Sequence, residues 1–157
     1  MSDQPGRGGV APEPLPAGID PRGPRAGAGM TALLLAVTIL LWTSTAALAL
    51  LAVVAASFLL GTVRGAQGTW QAWVYRVLIL PAIGPTAERE DPRPPRFAQA
   101  VGLVITGAGV VLGLLGVMAA VPVAAALALA AALLNAAFGL CLGCELYLLL
   151  RRVAPAR

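Results

Sequence analysis

Hydrophobic positions in this chain come in blocks rather than in alternation. No charged residue interrupts the stretch from Ala26 to Val63, and a second uncharged stretch runs from Phe97 to Cys144. Half-buried strands or amphipathic helices would mix polar positions into such runs every second or every third to fourth residue. Unbroken blocks predict helices that are apolar all round. About 20 residues cross the hydrocarbon core of a bilayer, so each block is long enough for two passes. Trp42, Thr43, Ser44 and Thr45 interrupt the first block near its middle. Tryptophan favours the membrane interface and hydroxyl side chains suit a tight turn, which predicts a hairpin over residues 26–63. In the second block Pro122 fits the first turn of a helix, where its missing N–H costs nothing. The second hairpin, 97–150, then consists of helices at about 97–117 and about 121–150, taking the length of a span as the guide.

The flanking segments differ in character. Residues 1–25 carry Pro5, Pro12, Pro14, Pro16, Pro21 and Pro24 among glycines and charges, a composition that buries no core and reads as a disordered cytoplasmic lead. It does not fit a secretory signal. In the segment 64–96, Trp70, Trp73, Tyr75, Val77 and Leu78 lie around Gln71 and Arg76. This predicts a short helix in the membrane interface, with rings at headgroup level and arginines reaching lipid phosphates. From residue 81 to 96 a Pro-rich loop follows, in which Glu88, Glu90 and Asp91 offset the arginines. No nucleic-acid surface is implied. Residues 151–157 form a short tail. The fold class expected is therefore an all-α membrane protein, with four transmembrane helices in two hairpins and an interfacial helix between them.

Charge placement tests that count. All eleven basic residues are arginines, and under the four-helix reading they fall on one side, before, between and after the hairpins. A three-helix arrangement would put the five arginines of the middle segment outside, against the positive-inside rule. Both termini are expected in the cytoplasm. The chain also repeats itself: Asp20-Pro-Arg-Gly-Pro-Arg25 precedes the first hairpin and Asp91-Pro-Arg-Pro-Pro-Arg96 the second, at an offset of 71 residues. Both hairpins then enter from the same side, as a parallel repeat about an axis along the membrane normal.

Composition adds exclusions. The chain is 59% hydrophobic and 11% charged, against about a quarter charged for soluble domains, and its net charge of +4 follows from topology. It contains no histidine and no lysine, which removes His-based catalysis, His metal sites and Schiff-base lysines. The two cysteines stand together in Cys141-Leu-Gly-Cys144-Glu145. On a continuous helix these three side chains would share a face. Such a pair can cycle between dithiol and disulfide or carry sulfur as a persulfide, with the carboxylate of Glu145 accepting a proton or tuning a thiol. Cys144 is the nearer of the two to the cytoplasmic end. Two thiolates alone do not complete a metal site; a homo-oligomer would have to supply the rest. The competing reading is that both cysteines only pack in an apolar helix, within a non-enzymatic scaffold. A structural disulfide is not expected facing a reducing compartment. A carboxylate within a span is a functional candidate, although Glu145 could instead pair with Arg76. Gly109 and Gly113, with Gly116, predict close helix packing, and Asn135 an interhelical hydrogen bond. The spans are too poor in polar groups for ion conduction.

The segments from Asp91 through Gly102 to Leu103, and from Leu134 through Cys141, Cys144 and Glu145 to Tyr147, resemble a bacterial integral-membrane family common in actinobacteria, domain of unknown function 4395. The resemblance covers about residues 18–152. The first half is divergent: Ala26 stands where the second half has Phe97. The resemblance implies a multi-pass protein of the bacterial plasma membrane, with no established activity. It also implies an association with thioredoxin-like or rhodanese-type cytoplasmic proteins, with which Cys141 and Cys144 would exchange electrons or sulfur. No cofactor is expected.

Overall fold

The computed structural model describes residues 18–153, and all regular elements among them are helical. In chain order they are α1 (Arg22–Leu40), α2 (Thr45–Arg64), a 3-10 turn (Ala66–Gly68), α3 (Trp70–Val74), a π-helical turn (Tyr75–Ile79), α4 (Leu80–Ile83), α5 (Arg93–Leu114), α6 (Ala120–Phe138) and α7 (Leu142–Val153). Four of them, α1, α2, α5 and α6, are long and apolar enough to cross a membrane, as the block pattern predicts for a multi-pass protein.

The starts of α1 and α5 come from the repeated Asp-Pro-Arg. Asp20 accepts the backbone N–H of Arg22 on its Oδ1 at 2.9 Å, and Asp91 does the same for Arg93 at 2.9 Å. An orphan donor of each first turn is thereby satisfied, and the prolines stand where no N–H is needed. Both helices consequently begin four residues earlier than the end of charge suggests, at 22 rather than 26 and at 93 rather than 97. Residues 18–25, expected to be disordered with the rest of the lead, are ordered. Ile19 forms a backbone bridge with Glu90, and the rest of the lead lies outside the described residues.

The first hairpin turns where expected. Trp42 takes a positive φ of 54°, and Ser44 caps α2 by accepting the Ala47 N–H at 3.1 Å. In the second hairpin Gly116 is not part of the packed glycine face: it has φ 92° and makes the turn after α5, which ends at Leu114 rather than near 117. The larger difference lies beyond α6. Gly139 adopts φ 69°, and the N–H groups of Gly139 and Leu140 fold back onto the carbonyls of Asn135 and Leu134. A left-handed glycine ends the helix. The single helix expected over 121–150 is therefore two, α6 and α7.

The long helices pack α1 against α6, α2 against α5, and α5 against α6. The buried centre is small: Leu35, Ala47, Leu51, Val54, Val121, Ala124, Ala125 and Ala128. Gly109 and Gly113 meet the expectation of close approach. A Cβ at Gly109 would collide with that of Ala124, and one at Gly113 would lie 2.8 Å from Leu48 and 2.9 Å from Val121. The hydroxyls of Thr31, Thr38, Ser57 and Thr106 are satisfied within their own helices by the carbonyl four residues back. Only 17–33% of each helix's most apolar stretch is buried, and Leu33, Leu40, Val104 and Leu127 point outward. A surface this apolar is compatible with a multi-pass membrane protein.

The segment between the hairpins is helical from Trp70 to Ile83, with a π-helical turn in its middle. It is longer than the expected helix, and the Pro-rich stretch is correspondingly shorter. Trp70 donates its indole N–H to Ser57 Oγ at 2.8 Å, tying the segment to α2.

A cleft beside the disulfide of α7

Cys141 lies outside α7 and acts as its cap. Its carbonyl accepts the Glu145 N–H at 3.0 Å, and its Sγ accepts the Cys144 N–H at 3.4 Å. Cys144 and Glu145 occupy the first turn. The geometry differs from three side chains on one face of a continuous helix: the break at Gly139 lets Cys141 swing over the helix N-terminus. There the two cysteines, whose Cα atoms are 5.1 Å apart, form a disulfide. A disulfide held for structure was not expected facing a reducing compartment, whereas a pair that cycles between dithiol and disulfide was one of the readings of the spacing. Both cysteines are half-buried and Glu145 is exposed.

α7 is fixed on α5. Gly143 lies directly on Ala98; a Cβ there would come within 2.6 Å of the Ala98 Cα and Cβ. The Phe97 and Tyr147 rings stack with centroids 5.6 Å apart, and the Arg151 guanidinium lies 6.0 Å from the Tyr147 centroid. From the other side the Arg25 guanidinium of α1 covers Gly139, with its carbon 3.5 Å from where a Cβ would stand. Arg96 of α5 holds the matching position on α2, donating to the carbonyls of Thr62 at 2.6 Å and Val63 at 3.1 Å. A guanidinium at a helix C-terminus satisfies orphan carbonyls and opposes the negative end of the dipole.

The disulfide lines a cleft of about 680 Å³ between the hairpins, whose walls include Phe58, Ile105, Leu127, Gln71 and Asn135. Gln71 is only 7% exposed. Its Nε2 donates to Thr31 Oγ1 at 3.3 Å, while its enclosed Oε1 has no hydrogen-bond partner among the described residues. An unsatisfied buried acceptor costs about 1–3 kcal/mol. Sequence reasoning placed Gln71 among interfacial residues and gave it no role; its burial depends on α3 folding back against α1. Asn135 lines the same cleft, and its side chain makes no interhelical hydrogen bond among the described residues, contrary to expectation. Glu145 does not pair with Arg76, which donates to its own helix at the Ala72 carbonyl. Arg22 with Asp20, at 3.0 Å, is the one ion pair among the described residues.

That pair belongs to a latch at the start of α1. Tyr75 donates its hydroxyl to Asp20 Oδ2 at 2.9 Å, and Arg22 reaches both Asp20 and the Gly84 carbonyl. Burial works against the Asp20 charge, but hydrogen bonds from Arg22 and Tyr75, with the guanidinium's charge, hold its carboxyl below the ordinary value of 3.8. Burial, then the bond to Asp20, pushes the Tyr75 phenol above its ordinary 10.0. Among the described residues no three His, Cys, Asp or Glu side chains gather to hold a metal.

An all-helical chain with four long apolar helices and a capped Cys-Leu-Gly-Cys-Glu turn is the class these observations define. The chain belongs to the family described as Domain of unknown function (DUF4395), which matches residues 19–152 and so spans both hairpins and α7. No curated protein and no solved structure matches it.

Proposed function

We propose that the protein is a multi-pass component of the bacterial plasma membrane that passes electrons or sulfur through Cys141 and Cys144 on its cytoplasmic side. The observation that carries this reading is the disulfide closed over the N-terminus of α7, half-buried beside a cleft and next to an exposed carboxylate. On reduction, a Cys141 thiolate receives the Cys144 N–H and the positive end of the α7 dipole. Cys141 is thus the attacking sulfur, Cys144 the resolving one, and Glu145 the proton acceptor. Cys144 was the nearer to solvent on a continuous helix, but the cap reverses the preference.

The placement of charge supports the orientation. The arginines at the starts of α1 and α5 and at the ends of α2 and α7 gather at one end, away from the uncharged hairpin turns. That end is then cytoplasmic, with both termini inside. A parallel repeat is supported by three matched features: the Asp20 and Asp91 caps, the Arg25 and Arg96 guanidinium placements, and the reciprocal packing of α1 on α6 and α2 on α5. Exposed Trp73, Val77 and Leu78 suit an interfacial position for the segment between the hairpins, in contact with lipid.

A thioredoxin-like or rhodanese-type protein is the partner class. The reduced Cys141 thiolate attacks the partner's disulfide and expels one partner thiolate; Cys144 then attacks Cys141 in the mixed disulfide, closing the Cys141–Cys144 bond and releasing the reduced partner. A scaffold with packing cysteines would form no such species. Incubating the Cys144→Ser protein with an oxidised thioredoxin-like partner should therefore accumulate a mixed disulfide through Cys141, visible as a reducible higher-mass band. Cys141→Ser should accumulate much less. Absence of the adduct from both variants, each correctly inserted, would overturn the proposal.

A further inference from the structure

We infer that a pocket between the start of α1 and the segment that links the hairpins binds a phosphate group, held by Arg76 and Arg89. The site uses neither cysteine and stands whether or not they react. The pocket, of about 440 Å³, falls within the range of small-molecule sites. One wall is the chain from Gly18 to Pro24, another carries Ala72, Tyr75 and Arg76, and the loop from Pro85 to Arg89 closes it. Two long-range ties hold that loop over α1. Ile19 and Glu90 exchange a pair of backbone hydrogen bonds, each of 2.9 Å, and Arg22 donates to the Gly84 carbonyl at 2.9 Å.

The polar lining selects the ligand. Asp20 is the one carboxylate among the lining residues, and both its oxygens are in use. Oδ1 accepts the backbone N–H and Nε of Arg22, while Oδ2 accepts Nη2 of Arg22 and the Tyr75 hydroxyl. Four donors saturate a carboxylate, so Asp20 has nothing left for a second cation. The charges that remain are positive. Arg76 spends its Nε on the Ala72 carbonyl at 3.3 Å, on the same wall, and its terminal nitrogens donate to no other group among the described residues. Half-buried Arg89 has no ion pair among the described residues. Glu88, the neighbouring acid, is exposed and does not line the pocket. Gln67 adds an amide and Thr86 a hydroxyl. What fits is a compact anion with several acceptor oxygens. A carboxylate presents its two oxygens to one side, whereas a phosphate presents oxygens in several directions and serves two guanidiniums arriving from different walls. Exposed Trp73, Val77 and Leu78 on the same segment suit headgroup depth, where phospholipid phosphates lie. A phospholipid headgroup and free phosphate share this chemistry, and the test separates them.

The test titrates the full chain in dodecyl maltoside, an uncharged detergent, with short-chain dihexanoylphosphatidylglycerol and with inorganic phosphate, read by calorimetry. Saturable binding of one molecule per chain is the expected result. Binding of the phosphatidylglycerol alone would identify a lipid headgroup as the ligand; binding of inorganic phosphate as tightly would identify a soluble one. In the Arg76→Gln, Arg89→Gln double variant the affinity should fall roughly tenfold, the effect of losing charge-assisted hydrogen bonds. Arg151→Gln with Arg152→Gln removes the same charge from α7 and should leave the affinity unchanged. An unaltered unfolding temperature verifies the fold. Should the double variant not fold, Arg76→Gln alone, at an exposed side chain, should still weaken binding. Absence of saturable binding of both probes to the wild type would overturn the site. So would unchanged affinity in the folded pocket variant, or an equal loss in both double variants, which would show attraction to overall charge only.

Discussion

Cys141 illustrates how one position takes on three tasks. It caps α7 with its carbonyl, accepts a backbone N–H on sulfur, and closes a disulfide to Cys144. None of this requires a second polar residue, which is why the spacing alone could mark the pair but not the direction in which it works. Asp20 is comparable: its carboxylate both starts α1 and receives Tyr75 and Arg22. A carboxyl held below its ordinary value stabilises the folded state fully above about pH 3.8, and that contribution disappears as the pH falls through its lower folded value. Tyr75, shifted upward, acts in the opposite sense: its contribution is complete below pH 10.0 and is lost as the pH rises beyond that. Tyr75→Phe should therefore lower stability by roughly 1 kcal/mol at neutral pH, the value of one hydrogen bond. It should also reduce the loss of stability at both extremes. Thermal unfolding in detergent across pH would check this; an unaltered acid limb would disprove the latch.

The helices that the hydrophobic blocks predict are present because apolar length and the absence of charge are read directly from sequence. What hydropathy cannot register is a single backbone angle. Gly139 interrupts an apolar run without changing its hydropathy, so α6 and α7 look continuous, although a glycine after Phe138 is a recognised stop signal. Similarly, Asp20 and Asp91 extend α1 and α5 upstream into residues that composition assigns to a lead or loop. The break at Gly139 has a measurable consequence. Gly139→Val places a β-branched residue at φ 69° and against the Arg25 guanidinium. The strain is about 1–3 kcal/mol. Straightening towards a continuous helix would take Cys141 off the α7 N-terminus. The variant should insert normally yet form the disulfide poorly under diamide. Disulfide formation at the wild-type rate would show that the break does not position Cys141.

For the molecule as a whole, the division between legible and hidden follows sequence distance. The four long apolar helices and the pairing of Cys141 with Cys144 each lie within a short stretch and were legible. The cleft was not, because it is assembled from α1, α2, α5, α6 and the segment carrying Gln71. Nothing near Gln71 in sequence marks it as buried: Trp70 and Trp73 beside it are exposed, and only contact with Thr31, forty residues away, reveals its environment. Among the described residues Asn135 makes no interhelical hydrogen bond and Glu145 does not pair with Arg76, and the chain end that carries Glu145 is a separate helix on α5. The central claim is that this helix presents a cycling cysteine pair at the arginine-rich, cytoplasmic end. The most direct measurement is labelling with a membrane-impermeant maleimide in vesicles of known orientation, before and after reduction, read at Cys141 and Cys144 by mass spectrometry. Labelling only after reduction, and only from the cytoplasmic face, is the predicted result. Thiols that are free without reduction and stay unlabelled until the bilayer is dissolved would contradict it.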